Sequence, residues 1–299
     1  MRKQLLKSCI FSLNEVFRIK AEHLSFEAKC DYLHNLKHMF EELHHGGHHL
    51  ADVYHVKEKH ARFLVSHWQN KGLGTATIKN RLSQLRYLFN LVDKSKLLPK
   101  ENSEFGIGQR SYIATENRAI YEIDISKFEN TLVAYSVQLQ QHFGLRREEA
   151  IKFDVSYADM GERIRLQPSW TKGGVYREIP ITTLEQRALL DELKLKVGSG
   201  SLIPKAKKYG YQKRVYDNAV AKSGYKNLHG LRHAYAQRRY FEITNQRTSG
   251  NGWHAPFSGG KHRDELSPTE RKVDNEARRI LSRELGHSRK QIVSVYCGV

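Results

Sequence analysis

Residues 93–111, DKSKLLPKENSEFGIGQRS, mix both charge signs with Pro99, Gly106 and Gly108 and repeat apolar residues at neither the helical nor the strand period. A stretch of this kind joins folded parts, so it divides the chain into a helical domain over 1–108 and a second domain over 109–299. In the first, apolar positions such as Phe63, Leu64 and Trp68 recur at helical spacing. The segment TATIKNRLSQLRYLFNLV is the most legible: Thr75 or Thr77 is placed to cap a helix whose Ile78, Leu82, Leu85 and Leu88 or Phe89 form one apolar stripe. Lys79, Arg81 and Arg86 fall off that stripe, available to a phosphate backbone or simply to water. In the second, FENTLVAYSVQLQQHFGLRREEAIKF is helical, and RIRLQPSWTKGGVYREIPI reads as strand, turn, strand with Gly173 and Gly174 at the tip. Helices follow from about 184, interrupted by a Gly-rich, polar insert near 245–270. The expected fold is mainly α with a small antiparallel β-sheet.

The 299 residues carry 50 Lys and Arg against 32 Asp and Glu, a formal charge of +18. Such an excess speeds association with polyanions and stabilises their complexes by counterion release, which makes nucleic acid the leading partner. With 39% hydrophobic residues the chain has enough apolar surface to bury a core. Three cysteines, Cys9, Cys30 and Cys297, without a CxxC pair, exclude a disulfide scaffold and a zinc ribbon and favour a reducing compartment. The start, MRKQLLKSCIFSLNEVF, is interrupted by Lys7 and Asn14 and lacks a small-residue cleavage site, so a cytoplasmic, nucleoid-associated protein is expected and no membrane partner. The tract HHGGHH at 44–49 has no fixed geometry around its glycines and no completing cysteine or carboxylate, so it reads as a turn between helices and no metal site is expected.

Four short segments bear chemistry suited to a phosphodiester. In GLRREEA, Arg146 and Glu149 lie three apart, on one helix face, where the guanidinium fork suits phosphate oxygens and the carboxylate can orient a neighbour; a surface ion pair is the plainer reading. In WTKGGVYREIP, Lys172 projects from a turn, able to give a proton to a departing alkoxide or merely solvated. In HGLRHAYAQRRY, His229 and Arg232 open an amphipathic helix with His233 beside them. In ELGHSRKQIVSVY, His287 and Tyr296 are nine residues apart, which on one straight helix puts them on opposite faces, so they meet only if the chain bends between them.

Taken in order, GLRxxE, a TKGG hairpin, HxLRH, and LGH followed nine residues later by Tyr resemble the catalytic signature of the tyrosine recombinase (phage integrase) family over about 112–299. The TIKNRLSQLRYLF helix resembles part of that family's helical core-binding domain. The resemblance implies a SAM-like helical domain that binds core DNA, with Lys79, Arg81 and Arg86 on its DNA side, followed by an α+β catalytic domain. It implies Tyr296 as nucleophile, Arg146 and Arg232 as the phosphate-binding pair, Lys172 as general acid, His229 as acid and base, and His287 as a further phosphate donor. Glu149 and His233 would support them. It also implies duplex DNA as substrate, a 3′-phosphotyrosyl intermediate, a homotetramer on DNA with two protomers cutting at a time, accessory DNA-bending or directionality proteins, and no cofactor. Rival readings are a type IB topoisomerase-like nicking and closing enzyme and a DNA-binding regulator of the same fold that has lost catalysis.

Two departures stand out. His229 and His287 are 58 positions apart, wider than in simpler members, because of the insert, whose Trp253, His254, Phe257, Lys261 and Arg263 resemble a segment of genomic-island integrases; it is expected to contact DNA or a neighbouring subunit, or to be a solvent loop. Only Cys297, Gly298 and Val299 follow the tyrosine, so subunit communication is expected to use surfaces other than a trailing helix, or the tyrosine segment itself is expected to be mobile.

Overall fold

The computed structural model describes residues 2–110 and 113–299, which form two compact units, Met1–Ser111 and Tyr112–Val299. The first unit is built from α1 (Arg2–Lys20), α2 (Phe26–His45), α3 (Glu58–Asn70) and α4 (Thr75–Leu91). The stripe read on α4 is the face it buries: Ile78, Leu82, Leu85, Leu88 and Phe89 pack with Leu13, Phe17, Leu36, Phe40, Leu64 and Trp68. Neither threonine caps that helix, which starts at Thr75 behind Gly74 and has no side-chain cap. HHGGHH closes α2 as a tight turn, with Gly47 at φ 87°, and a Cβ on Gly46 would fall 2.0 Å from the Phe63 ring, so packing demands the glycine there.

The stretch after α4 differs from the free connector its composition suggested. Leu98, Phe105 and Ile107 are buried in the first core, and Arg62, Gln69 and Arg86 donate to carbonyl or amide oxygens of Glu104, Gly106, Pro99 and Asn102. Aperiodic chain can still be anchored when isolated apolar residues find pockets on a finished helical surface.

In the second unit, α5 (Thr131–Phe143), α6 (Arg147–Lys152) and α7 (Val155–Ala158) lead into β1 (Arg163–Leu166) and β2 (Arg177–Pro180). These pair antiparallel in the register Arg163↔Pro180 to Leu166↔Arg177, with Gly173 and Gly174 in the turn at φ 84° and 67°. Then come α8 (Leu184–Lys196), α9 (Tyr209–Ser223), α10 (His229–Arg247), α11 (Pro268–Glu284) and α12 (Ser294–Cys297). Helix α10 is central: Leu231, Tyr235, Ala236, Tyr240 and Ile243 bury into two adjoining cores, and it packs on α5, α11 and α12. The insert is anchored at one stretch, where Ala255 is fully buried and Trp253 packs against the core, while residues 261–265 are exposed. No helix among the described residues is long and apolar enough to cross a membrane.

Candidate active site

Gly144 ends α5 in the left-handed region at φ 61°, where a Cβ would lie 2.4 Å from the Tyr235 ring. This break turns the chain so that Arg146 stands just ahead of α6 rather than on its face as the spacing suggested. Glu149, in the first turn of α6, reaches back: one carboxylate oxygen accepts the Arg146 backbone N–H at 2.7 Å and the other its guanidinium at 2.9 Å. Burial would raise the Glu149 pKa, but the hydrogen bonds and charge of Arg177, with the charges of Arg232 and Arg146, hold it down to about 2.

Arg232 on α10 is 1% exposed. It donates to Gly144 O at 2.5 Å and to Leu285 O, which fixes its plane. Its Nε points at the Tyr296 hydroxyl, 3.4 Å away, and its Nη2 lies 3.5 Å from His287 Nε2. Burial lowers its pKa to about 10, so the charge persists at neutral pH.

The bend required between His287 and Tyr296 is present. Helix α11 stops at Glu284, Gly286 turns the chain at φ 68°, and a single 3-10 turn at Lys290–Val293 leads into α12. That path brings the Tyr296 hydroxyl to 3.1 Å from His287 Nε2. The His229 and His233 rings lie 6.0 and 4.7 Å from the Tyr296 ring. Burial, followed by the charges of Arg232 and Arg146, lowers His287 to about 4; burial and the neighbouring His229 do the same for buried His233. His229 stands at the exposed rim and shifts in the same direction, so all three rings are neutral at pH 7. A neutral imidazole with Nε2 unprotonated can accept the phenol proton, and this arrangement pairs that task with His287 rather than His229.

The structure thus gathers Arg146, Glu149, His229, Arg232, His233, His287 and Tyr296 in one place. Lys172 is not in that cluster: it is exposed in the hairpin turn, with no hydrogen bond or ion pair to these residues.

A sequence profile described as phage integrase, N-terminal, matches residues 7–98, and one described as integrase matches 109–238, so that together they span most of the chain. The chain belongs to the tyrosine recombinase (phage integrase) family. Members of that family are DNA breaking and rejoining enzymes. No curated protein matches this recombinase in sequence. Its fold is similar to that of the chain in a lambda integrase dimer bound to a COC' core site, at 14% identity and TM-score 0.60, over 95% of this chain and 75% of that one. It is also similar to a lambda integrase tetramer bound to a Holliday junction (14%, TM-score 0.54, 85% and 78%) and to XerH site-specific recombinase bound to difH in a pre-cleavage complex (16%, TM-score 0.52, 93% and 77%).

Sequence reasoning missed parts of this recombinase's site. Arg177 on β2 is 6% exposed and grips Glu149 with two hydrogen bonds of 2.9 and 2.6 Å while its Nε donates to Glu284 O at 3.0 Å. It therefore ties the hairpin to α6 and to the turn that carries His287. Glu284 is held in turn by Arg239 at 2.9 Å. Also overlooked were the basic stretch entering α9 and a cation on that helix, where Lys205, Lys207, Lys208 and Arg214 are exposed and form no ion pair among the described residues. Of the cations expected on α4, Lys79 is half-buried and pairs with no carboxylate, and Arg81 lies over the Trp68 ring 3.6 Å from Glu42. Arg86 turns inward to Asn102 at 2.7 Å and Pro99 O at 3.0 Å, holding the segment after α4 instead of an open face.

Proposed function

We propose that this recombinase is a site-specific DNA integrase that cuts and rejoins duplex DNA through a 3′-phosphotyrosyl intermediate at Tyr296. The observation that carries the reading is the Tyr296 hydroxyl held within 3.4 Å of both the His287 imidazole and the buried Arg232 guanidinium. The phenol gives its proton to His287 Nε2, and the phenolate oxygen bonds to phosphorus. The bond to the 5′ oxygen breaks, and Lys172, swung in on its hairpin, protonates the leaving alkoxide. Arg146, Arg232 and His229 bind the nonbridging oxygens, where charge grows in the transition state. Because the phosphotyrosyl bond keeps the phosphodiester's energy, rejoining runs the same steps backwards and needs no nucleotide.

The lambda integrase and XerH structures were determined on DNA, one of them as a tetramer on a Holliday junction. A homotetramer on duplex DNA is accordingly part of the proposal, with the exposed cations leading into α9 and Lys79 on α4 against phosphates.

The test is to incubate the chain with random duplex fragments, denature, and recover DNA that stays covalently attached. Wild-type chain is expected to retain DNA, and Tyr296→Phe to bind fragments equally well yet retain none after denaturation. Arg232→Ala is expected to slow attachment by a barrier increase on the order of 3 kcal/mol. An adduct persisting in Tyr296→Phe overturns the assignment of the nucleophile.

A further inference from the structure

The segment carrying the nucleophile does not hold its own position. Helix α12 has only four residues, too few to be stable by itself, and the hydroxyl geometry at His287 depends on where that short turn is fixed. Its polar contacts come from α10, α11 and the insert. Gln237, 1% exposed and five residues beyond Arg232, donates from Nε2 to the carbonyl oxygen of Tyr296 at 2.8 Å and to Asn117 Oδ1 at 2.9 Å. Its Oε1 accepts from the Tyr121 hydroxyl at 2.5 Å and from Ser258 Oγ, in the insert, at 2.6 Å. A primary amide has two donors and two acceptor sites, so this one is saturated. Its orientation is also forced, because the Tyr296 carbonyl can only accept.

The insert is built to stay where it is. Trp253 Nε1 donates to the Tyr240 hydroxyl at 3.1 Å, Thr244 Oγ1 donates to Trp253 O at 2.9 Å, and His254 stacks on Phe241 with ring centroids 4.3 Å apart. A Cβ on Gly260 would fall 1.7 Å from His254 O, so the backbone closes on itself there. Beyond the tyrosine, Arg278, paired with Asp274 at 2.7 Å, donates to Gly298 O at 2.9 Å, and His262 Nδ1 lies 2.9 Å from Val299 O. A Cβ on Gly298 would meet Pro256 at 2.9 Å.

We infer that residues 251–263, joined to Gln237, form a clasp that positions Tyr296 for attack within its own chain's site. Gln237 and Ser258 are positioning residues in this scheme, since neither touches the reacting atoms. The inference rests on the strand-transfer reading of Tyr296 and accounts for the insert, which the reaction itself does not use.

Two variants test it: Gln237→Met, which keeps the side-chain length and removes all four hydrogen bonds, and Ser258→Ala, which removes one and keeps the fold if the first does not. Hydrogen exchange of backbone amides in 294–299 is followed by mass spectrometry, alongside the rate of covalent attachment to the DNA fragments that wild-type chain retains, at saturating DNA. The expected result is exchange faster by about tenfold in 294–299 but not in α5 or α11, and attachment slower by about tenfold with fragment affinity changed by less than about twofold. Unchanged exchange at 294–299, attachment within about twofold of wild type, or equal loss of affinity and rate would each overturn the clasp. If wild-type chain attaches to no DNA, the strand-transfer reading fails instead, and exchange still decides whether the insert fixes the segment.

Discussion

At the scale of single residues, Glu149 shows how much rests on one carboxylate. It is 1% exposed by side chain and stands between two guanidiniums, of which only Arg146 is free to meet a phosphate. Removing Arg177 by substitution to Met would leave Glu149 buried with Arg146 as its remaining close partner, drawing that arginine away from DNA. Arg177→Met is expected to lower stability by about 3 kcal/mol in urea titration, the usual cost of breaking a buried pair, and to slow covalent attachment more than it weakens fragment binding. Arg177→Lys should recover little, since an ammonium cannot supply the two parallel bonds. Most of the candidate site was legible as residue type and order: Arg146, His229, Arg232, His287 and Tyr296 each bear evident chemistry. Arg177 was not, because an arginine in YREIP reads as a solvent-facing strand residue. The overlooked signal was its i, i+2 relation to Ile179, which puts it on the buried face and demands a buried partner.

Among elements, α4 and the β1–β2 hairpin followed directly from periodicity, because each buries one face and its pattern records which. The segment after α4 and the insert did not, since Leu98, Phe105 and Ala255 are seated one at a time in pockets that other elements create. The polar interior of α10 and the turn after α11 has a consequence for pH. His233 and His287 are lowered from 6.5 to about 4, and His60 on α3 shifts likewise through burial and its neighbours His48 and Lys59. Between those values the unfolded chain binds more protons than the folded one, so the stability they contribute is complete above 6.5 and declines as pH falls toward 4. Urea midpoints are expected to drop from pH 7.5 to pH 5, and His287→Gln to flatten part of that slope. Glu149, held to about 2, adds its own loss only below its ordinary 4.5.

For the whole molecule, the charge of +18 makes ionic strength the main control on binding. Lys79→Ala is expected to weaken fragment binding uniformly across sequences and to reduce the slope of log affinity against log salt by about 1, leaving the attachment rate at saturation unchanged. A slope equal to wild type would remove α4 from the DNA face. The distribution of tyrosines carries a final implication. Of the 15 in the chain, Tyr54, Tyr121, Tyr176 and Tyr211 are more than two-fifths exposed, whereas Tyr296 is 5% exposed. Small electrophiles such as nitrating or iodinating agents would therefore modify these outer rings before Tyr296, and a label on Tyr121 would strike the hydroxyl that donates to Gln237 while leaving the Tyr296 phenol intact.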